Sequence, residues 1–320
     1  MKPAPFDYHA PGSAKEAVEL LAELGDGAKL IAGGQSLVPL LALRLTSFEH
    51  LVDVGRIPGL RGIEATPGRV VWIGAGTTEA AIGRSPAVAA RVPLLARATP
   101  FIGHFQIRNR GTIGGSLAHA DAAAEYPAVA LALDAVIRTL SPRGERSIPA
   151  AEFFTGIWST ALEPDELLTG VAFRVPAGRA GFAVAEVARR PGDFAVAGAA
   201  IAIELDDRSG SAGPDAPVSR CGIGLFGLGP TPLRASAAEA SVVGRAARDL
   251  TTDASARDIG HAAMAGLASI PSDLHGSAAY RQRVAASLVK TAWQRAITEA
   301  ITAAPAGEPG QAHHGEAAGD

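Results

Sequence analysis

Two short runs govern what this chain can fold into: Ala32-Gly33-Gly34-Gln35-Ser36 and Gly111-Thr112-Ile113-Gly114-Gly115-Ser116. Paired glycines permit backbone conformations and close approaches that larger residues forbid. The first run follows strand-like Lys29-Leu30-Ile31 and leads into a helical stretch over residues 37–44, with Ser36 placed to cap it and Pro39 in its first turn. The second opens at Arg108 and leads into an Ala-rich helix ending near Leu133. Taken singly, each run reads equally well as a tight strand-to-helix turn. As a pair they offer more. Successive backbone N–H groups can turn inward on an anion, and a helix N-terminus adds partial positive charge. One such loop holds one phosphate. Two, with the hydroxyls of Ser36, Thr112 and Ser116 beside them, clamp a pyrophosphate.

Other nucleotide signatures fail. No G-x-x-x-x-G-K-[ST] occurs, which excludes a P-loop. Gly222-Ile223-Gly224-Leu225-Phe226-Gly227 has the spacing of a dinucleotide fingerprint, but Leu228-Gly229-Pro230 follows it and cannot start the required helix. These glycines are expected within a strand. The net charge of -3 and the lack of any Lys/Arg stripe give no footprint for nucleic acid. The single cysteine, Cys221, excludes a disulfide framework and an iron–sulfur cluster held by this chain alone. His104 and His119 are too scattered to be metal ligands. The N-terminus lacks the apolar core of a secretory signal, and the longest uncharged apolar stretch, residues 194–203, is too short to span a bilayer. A soluble, cytoplasmic protein is expected.

The remaining pattern is mixed. Ser13-Ala14-Lys15-Glu16 is a capping box, followed by an apolar stripe at Ala17, Leu20, Leu21 and Leu24. Strands are expected at 51–54, 70–74, 135–140 and 171–175, and helices at 78–82 and 94–104. Pro176-Ala177-Gly178-Arg179 reads as a linker. Beyond it lie expected strands at 181–188, 195–205 and 218–226, an exposed loop at 206–217, and helices at 235–243 and 280–301. Irregular ordering of strands and helices argues for α+β rather than a doubly wound sheet.

The run Ala32-Gly33-Gly34-Gln35-Ser36-Leu37 resembles the first flavin loop of the FAD-binding medium subunits of molybdenum hydroxylases, the group containing carbon monoxide and xanthine dehydrogenases. The run Gln106-Ile107-Arg108-Asn109-Arg110-Gly111-Thr112-Ile113-Gly114-Gly115-Ser116-Leu117-Ala118-His119-Ala120-Asp121 resembles the second, and far more specifically. Ala188-Arg189-Arg190-Pro191-Gly192-Asp193-Phe194-Ala195, Gly229-Pro230-Thr231-Pro232-Leu233-Arg234 and His275-Gly276-Ser277-Ala278-Ala279-Tyr280-Arg281 are similar to later signatures of that family, in the same order. The resemblance implies a vanillyl-alcohol-oxidase/PCMH-type FAD-binding fold over residues 1–176, with subdomains of about 1–55 and 56–176. A C-terminal α+β domain of the carbon monoxide dehydrogenase flavoprotein type would follow over 177–302, then a disordered tail, 303–320.

It also implies a set of flavin-binding residues: Ile31, Ala32, Gly33, Gly34, Gln35, Ser36 and Leu37 in the first loop, Thr112, Ile113, Gly114, Gly115 and Ser116 in the second, and Ile102 and Gly103 just upstream. Glu125 stands where relatives usually carry an Asp that contacts the flavin's ribityl chain or ring region, with Asp121 as a substitute; either also fits a helix-terminal acid stabilised by the dipole. Phe194 either shields a flavin face or is ordinary core, and Leu168 either packs on the flavin or on the core. Arg108 and Arg110 face phosphate, a partner or solvent. The implied role is electron transfer. Substrate is oxidised at a molybdenum cofactor on a large partner, electrons pass through [2Fe-2S] clusters on a small partner, and FAD here hands them to an external acceptor, in a dimer of heterotrimers. A stand-alone flavin reductase or oxidase of the same fold is the alternative.

Overall fold

The computed structural model describes residues 2–65, 68–206 and 213–304; half of the expected 206–217 loop and nearly all of the expected tail lie outside them. Helix Ala14–Leu24 begins where its capping box places it, with the Ser13 hydroxyl accepting from the Glu16 amide at 3.1 Å. The reciprocal arm reaches one residue further back, to the Gly12 amide at 2.7 Å. Ala17, Val18 and Leu21 bury against Val52 and Val54. Under this helix lies a three-stranded parallel sheet in the order Asp7–His9, His50–Asp53, Ala28–Ile31. Parallel neighbours require crossovers. Helix Ala14–Leu24 lies on the first path, and the first glycine run with helix Leu37–Ala42 lies on the second. That helix is shorter than expected, because Arg44 takes a left-handed φ of 56°. Ser36 does not cap it: at φ -100°, ψ -46° it is already helical, and its side chain makes no capping bond.

A five-stranded antiparallel sheet follows, ordered Ile63–Glu64, Val70–Gly74, Leu167–Arg174, Val136–Ser141, Gly144–Pro149. Its core is shared with helices Glu79–Arg84, Pro86–Arg91, Pro93–Ala98 and Glu125–Ala132. The helix expected over 94–104 stops at Ala98 and passes into a 3-10 turn, Thr99–Phe101, which holds Pro100. The Ala-rich helix divides into Ile113–His119 and Glu125–Ala132, since Ala120 at φ 53° ends the first piece.

The third sheet is antiparallel: Ala180–Ala188, Ala195–Leu205, Val218–Phe226, Leu233–Arg234. Every residue of Ala195–Leu205 is buried, so both faces of the sheet are covered. Phe182, Val184, Ala200, Ala202 and Phe226 join the core of the five-stranded sheet. Their alternates, Ala183, Ala185, Ala199, Ile201, Ile203 and Ile223, face the long helix Ala278–Thr302 around Trp293. The fingerprint-like glycines lie in strand Val218–Phe226, as expected. A Cβ on Gly222 or Gly224 would lie 1.9 Å from Ala132 O or 2.1 Å from Ala128 O, so these positions seat helix Glu125–Ala132 directly on the sheet.

The architecture is α+β. Several elements lie outside the segments read from sequence, three of them for plain reasons. Strand Gly144–Pro149 is exposed at five of six positions and carries no apolar alternation. Strand Asp7–His9 is three residues long and buries none of them. Helix Asp253–Met264 buries a face made largely of Ala and Gly.

Candidate functional site

The two glycine runs meet. A Cβ on Gly33 would lie 2.1 Å from Arg110 O and 2.9 Å from Gly111 Cα, so the first run rests on the backbone of the second. Ala32 and Gly115 are neighbours across the same seam. Gly34 has φ 72°, which turns the chain out of strand Ala28–Ile31 toward helix Leu37–Ala42. Residues 31–37 are all half-buried. Five consecutive backbone amides, of Gly33, Gly34, Gln35, Ser36 and Leu37, donate no hydrogen bond within the described residues. Gln35 turns its side chain back, donating from Nε2 to Gly33 O at 3.0 Å. A half-buried row of unpaired amides costs free energy unless water or a ligand completes it.

The second run is built differently. Only its start is a loop; Ile113, Gly114, Gly115 and Ser116 form the first turn of helix Ile113–His119. Their amides are already taken. Ile113 donates to Thr77 O at 3.1 Å, Gly114 to Ala75 O at 2.9 Å, Gly115 to Thr112 Oγ1 at 3.1 Å and Ser116 to Thr112 O at 2.9 Å. Thr112 therefore caps its own helix, and its amide is the only one of the Gly111 to Ser116 run without a protein acceptor among the described residues. The expectation of two equivalent amide nests is corrected to one nest and one wall. The helix start hydrogen-bonds to the segment that leaves strand Val70–Gly74, which fixes this wall in place. The Ser36 and Ser116 hydroxyls make no hydrogen bond within the described residues.

Ile102 and Gly103 sit at the turn after Thr99–Phe101, where their carbonyls accept from Arg108 Nη1 at 2.8 and 2.7 Å. Arg108 is thus a brace for this turn. The turn carrying Gly192 packs on it, for a Cβ on Gly192 would lie 2.6 Å from the His104 ring. This brings Phe194 to the same side of the molecule. Phe194 is 72% exposed, which rejects the core reading for it. Leu168 is 3% exposed within the central core, which favours the core reading. Asp121 spends Oδ1 on the Ala123 amide at 2.8 Å, shaping the turn before helix Glu125–Ala132.

Glu125 opens that helix, 8% exposed. Burial pushes its carboxyl up to about 7; its own amide partly offsets this, and the Asp121 charge adds to it. Two carboxyls that sequence reading passed over stand near it. Burial pushes Glu79 up to about 8, with the Glu125 charge adding and Arg108 opposing. Burial, then Glu125, pushes Glu186 up to about 8. Their sequence signal is faint: an acid after a Thr cap, and an acid in an otherwise apolar strand.

These raised values make the flavin-free fold sensitive to alkali. The folded chain keeps protons that an unfolded chain releases near 4.5. The resulting stabilisation is complete below about pH 4.5 and is lost as pH rises through 7 to 8. A loss of about 3 kcal/mol between pH 6 and pH 9 is expected, with half-exposed Glu186 contributing least because water screens it. Thermal melts of the apo chain should fall by roughly 5–10 °C over that range, and Glu79→Gln should flatten the trend. An unchanged melting temperature from pH 6 to 9 would refute the assignment.

Comparison with known proteins places this arrangement. Residues 4–177 match the family described as the FAD binding domain in molybdopterin dehydrogenase, and residues 182–296 match the CO dehydrogenase flavoprotein C-terminal domain. The chain is 42% identical over 301 residues to the 6-hydroxypseudooxynicotine dehydrogenase complex subunit alpha of Paenarthrobacter nicotinovorans, covering 94% of this chain and 97% of that protein. It is 41% identical over 301 residues to the carbon monoxide dehydrogenase medium chain of Hydrogenophaga pseudoflava, covering 92% and 99%. A solved structure of carbon monoxide dehydrogenase from Hydrogenophaga pseudoflava superposes with a TM-score of 0.86 over 92% of this chain and 98% of that one, at 42% identity. The chain therefore belongs to the FAD-binding medium subunits of the molybdenum hydroxylases, and is the flavoprotein component of such an oxidoreductase.

Proposed function

We propose that FAD lies across the seam between the glycine runs, with its pyrophosphate on the free amides of residues 33–37 and the hydroxyls of Ser36 and Ser116 beside it. Thr112, Ile113, Gly114, Gly115 and Ser116 form the wall along its ribityl chain, while Ile31 and Ala32 lie behind the nest. Asp121 and Glu125 face the ribityl hydroxyls. Ile102, Gly103 and exposed Phe194 border the ring, and Leu168 supports it from the core. The observation that carries this reading is the row of five unpaired amides held against a fixed helix start. Hydrogen bonds to a charged acceptor contribute about 1.5–3 kcal/mol each, so such a row suits a pyrophosphate.

The flavin, once bound, accepts electrons one at a time and releases them in pairs. The protein's part is to hold it, orient it and exclude water around it. Substrate chemistry belongs elsewhere. The chain has one cysteine, buried Cys221, whose thiol burial pushes far up, and a cluster needs several thiolates. The partners in this reading are a large subunit carrying the molybdenum cofactor and a small subunit carrying [2Fe-2S] clusters, assembled as a dimer of heterotrimers in the cytoplasm. Electrons arrive from the clusters and leave to an external acceptor. Support comes from relatives named as medium chains or subunits of such enzymes. Among the described residues no helix is long and apolar enough to cross a membrane. The division into an FAD-binding part, 1–176, and a C-terminal part, 177–302, is supported by the gap between strands Leu167–Arg174 and Ala180–Ala188.

The test is affinity purification of the tagged chain from its native host, with flavin, iron and molybdenum quantified. About one FAD with several irons and one molybdenum, alongside one larger and one smaller chain, is the expected composition. A lone yellow protein without metals would instead identify a self-contained flavin reductase or oxidase, and a colourless complex would remove the flavin assignment.

A further inference from the structure

Three carboxyls from distant parts of the chain are linked through the charge of Glu125, and one of them, Glu79, lies behind the second glycine run. Glu79 opens helix Glu79–Arg84, Glu125 opens helix Glu125–Ala132, and Glu186 lies on strand Ala180–Ala188. Glu79 is 5% exposed. Its amide donates to Gly111 O at 2.9 Å, and a Cβ on Gly111 would lie 2.7 Å from its Oε2, so the carboxyl lies directly behind the run. Glu79 Oε2 and Glu186 Oε2 are buried with no hydrogen-bond partner. The Glu125 charge reaches both.

The surroundings supply no counter-charge in contact. Arg108, the cation whose field reaches Glu79, is tied to the carbonyls of Ile102 and Gly103. Tyr126 bonds Thr99 Oγ1 at 2.8 Å, and burial keeps its hydroxyl neutral. On the Glu125 side stands Asp121, another acid, with His119 4.0 Å from it and held toward its neutral form by burial. On the strand side, no ion pair reaches Glu186 among the described residues. No group of three His, Cys, Asp or Glu among those residues is arranged to hold a metal ion. Two buried acids and a third, half-exposed one with a buried oxygen, none with a cation in contact, are compensated by protons.

We propose that Glu79, Glu125 and Glu186 form a proton store coupled to the flavin, taking up a proton when electrons reach FAD and returning it when they leave. This rests on the flavin reading above. Two electrons and one proton convert FAD to FADH−, which leaves one new negative charge beside the cluster. That charge raises the proton affinity of the carboxylates, and a second proton moves from solvent onto one of them. Reoxidation by the acceptor removes both electrons, and both protons return to solvent. The carboxyl values of about 7 and 8 place the cluster where a fraction is ionised and ready to respond near neutral pH. Glu79 and Glu186 are thus positioning residues, acting on the flavin through charge.

The experiment is a redox titration of the flavin in the purified complex at a series of pH values between 6.5 and 8.5. Its pH slope gives the protons taken up per two electrons. About two are expected for the wild type, and about one for the Glu79→Gln, Glu186→Gln double variant. Equal uptake in both proteins, with flavin stoichiometric, overturns the proposal. A second readout needs no variant: the reduced-minus-oxidised infrared spectrum of the wild-type complex should gain a protonated-carboxyl C=O band, and its absence is equally fatal. If the double variant loses flavin, Glu186→Gln alone, at the half-exposed position, replaces it and should lower the uptake. A wild-type complex without flavin sinks the cofactor reading and this proposal together; bound flavin with no proton signal sinks this one alone.

Discussion

Gly33→Ala should leave a folded chain that cannot retain FAD, with the flavin-to-protein ratio falling to about a tenth of wild type or less. The added methyl would stand 2.1 Å from Arg110 O and 2.7 Å from Arg110 C, both backbone atoms. A side-chain tip could swing away; a peptide held by the Gly111 amide on Ile107 O and the Glu79 amide on Gly111 O cannot. The first run must therefore lift off the second, and the five free amides lose their placement against it. Such a displacement costs several charge-assisted bonds, each about 1.5–3 kcal/mol, which is ample for a tenfold loss. Gly59→Ala is the matched control, since nothing lies within 4 Å of its added Cβ. Flavin absorbance per chain in the purified complex decides the matter, with iron and molybdenum expected to stay. Stoichiometric flavin in Gly33→Ala would show that the seam does not hold the cofactor.

The second large effect is on folding. Gly224→Val and Gly222→Val should each lower stability by at least about 4 kcal/mol, and the melting temperature by roughly 10 °C or more. The new side chain would strike the carbonyl of Ala128 or Ala132, and with it the whole helix Glu125–Ala132. That helix is buried along its entire length, so it has no space to retreat. Ile223→Val, one residue away on the opposite face, removes a single methylene and should cost about 1 kcal/mol. A melting temperature for Gly224→Val within a few degrees of wild type would mean that helix and sheet are not in contact as described.

How far these features could be read beforehand depends on the range of the forces that make them. The capping box at Ser13, the glycine runs and the strands flanking the 206–217 loop are local patterns, and they were legible. The rejection of Gly222-Ile223-Gly224-Leu225-Phe226-Gly227 as a nucleotide fingerprint also rested on local chemistry, namely the residues after it. What the glycines do instead was hidden, because their partner carbonyls lie about ninety residues upstream. Ser36 misled because a hydroxyl before an apolar run reads as a cap; the chain is already helical there, and the hydroxyl is left free. The unlike roles of the two runs were equally invisible. The second spends its amides on Thr77, Ala75 and Thr112, and only the folded chain brings the first two acceptors there. That Glu125 reaches both Glu79 and Glu186 is a purely tertiary fact, since periodicity reports the face of one element and never which faces meet.

Strand Ala195–Leu205 has a consequence for how such a chain can change over time. Its alternate residues serve two different interiors, one shared with the flavin-binding part and the other with the long final helix. Cutting the gene near residue 177 would not release two modules. Each fragment would carry half of a two-sided contract, with Phe182, Val184 and Phe226 left facing water on one piece and the buried face of helix Glu125–Ala132 on the other. Recombination among related genes would meet the same barrier, because a donor's C-terminal half must bring small residues opposite the recipient's Ala128 and Ala132. The two halves are therefore expected to travel through lineages as a single inherited unit, diversifying together at their shared seam and separately only at their outer surfaces.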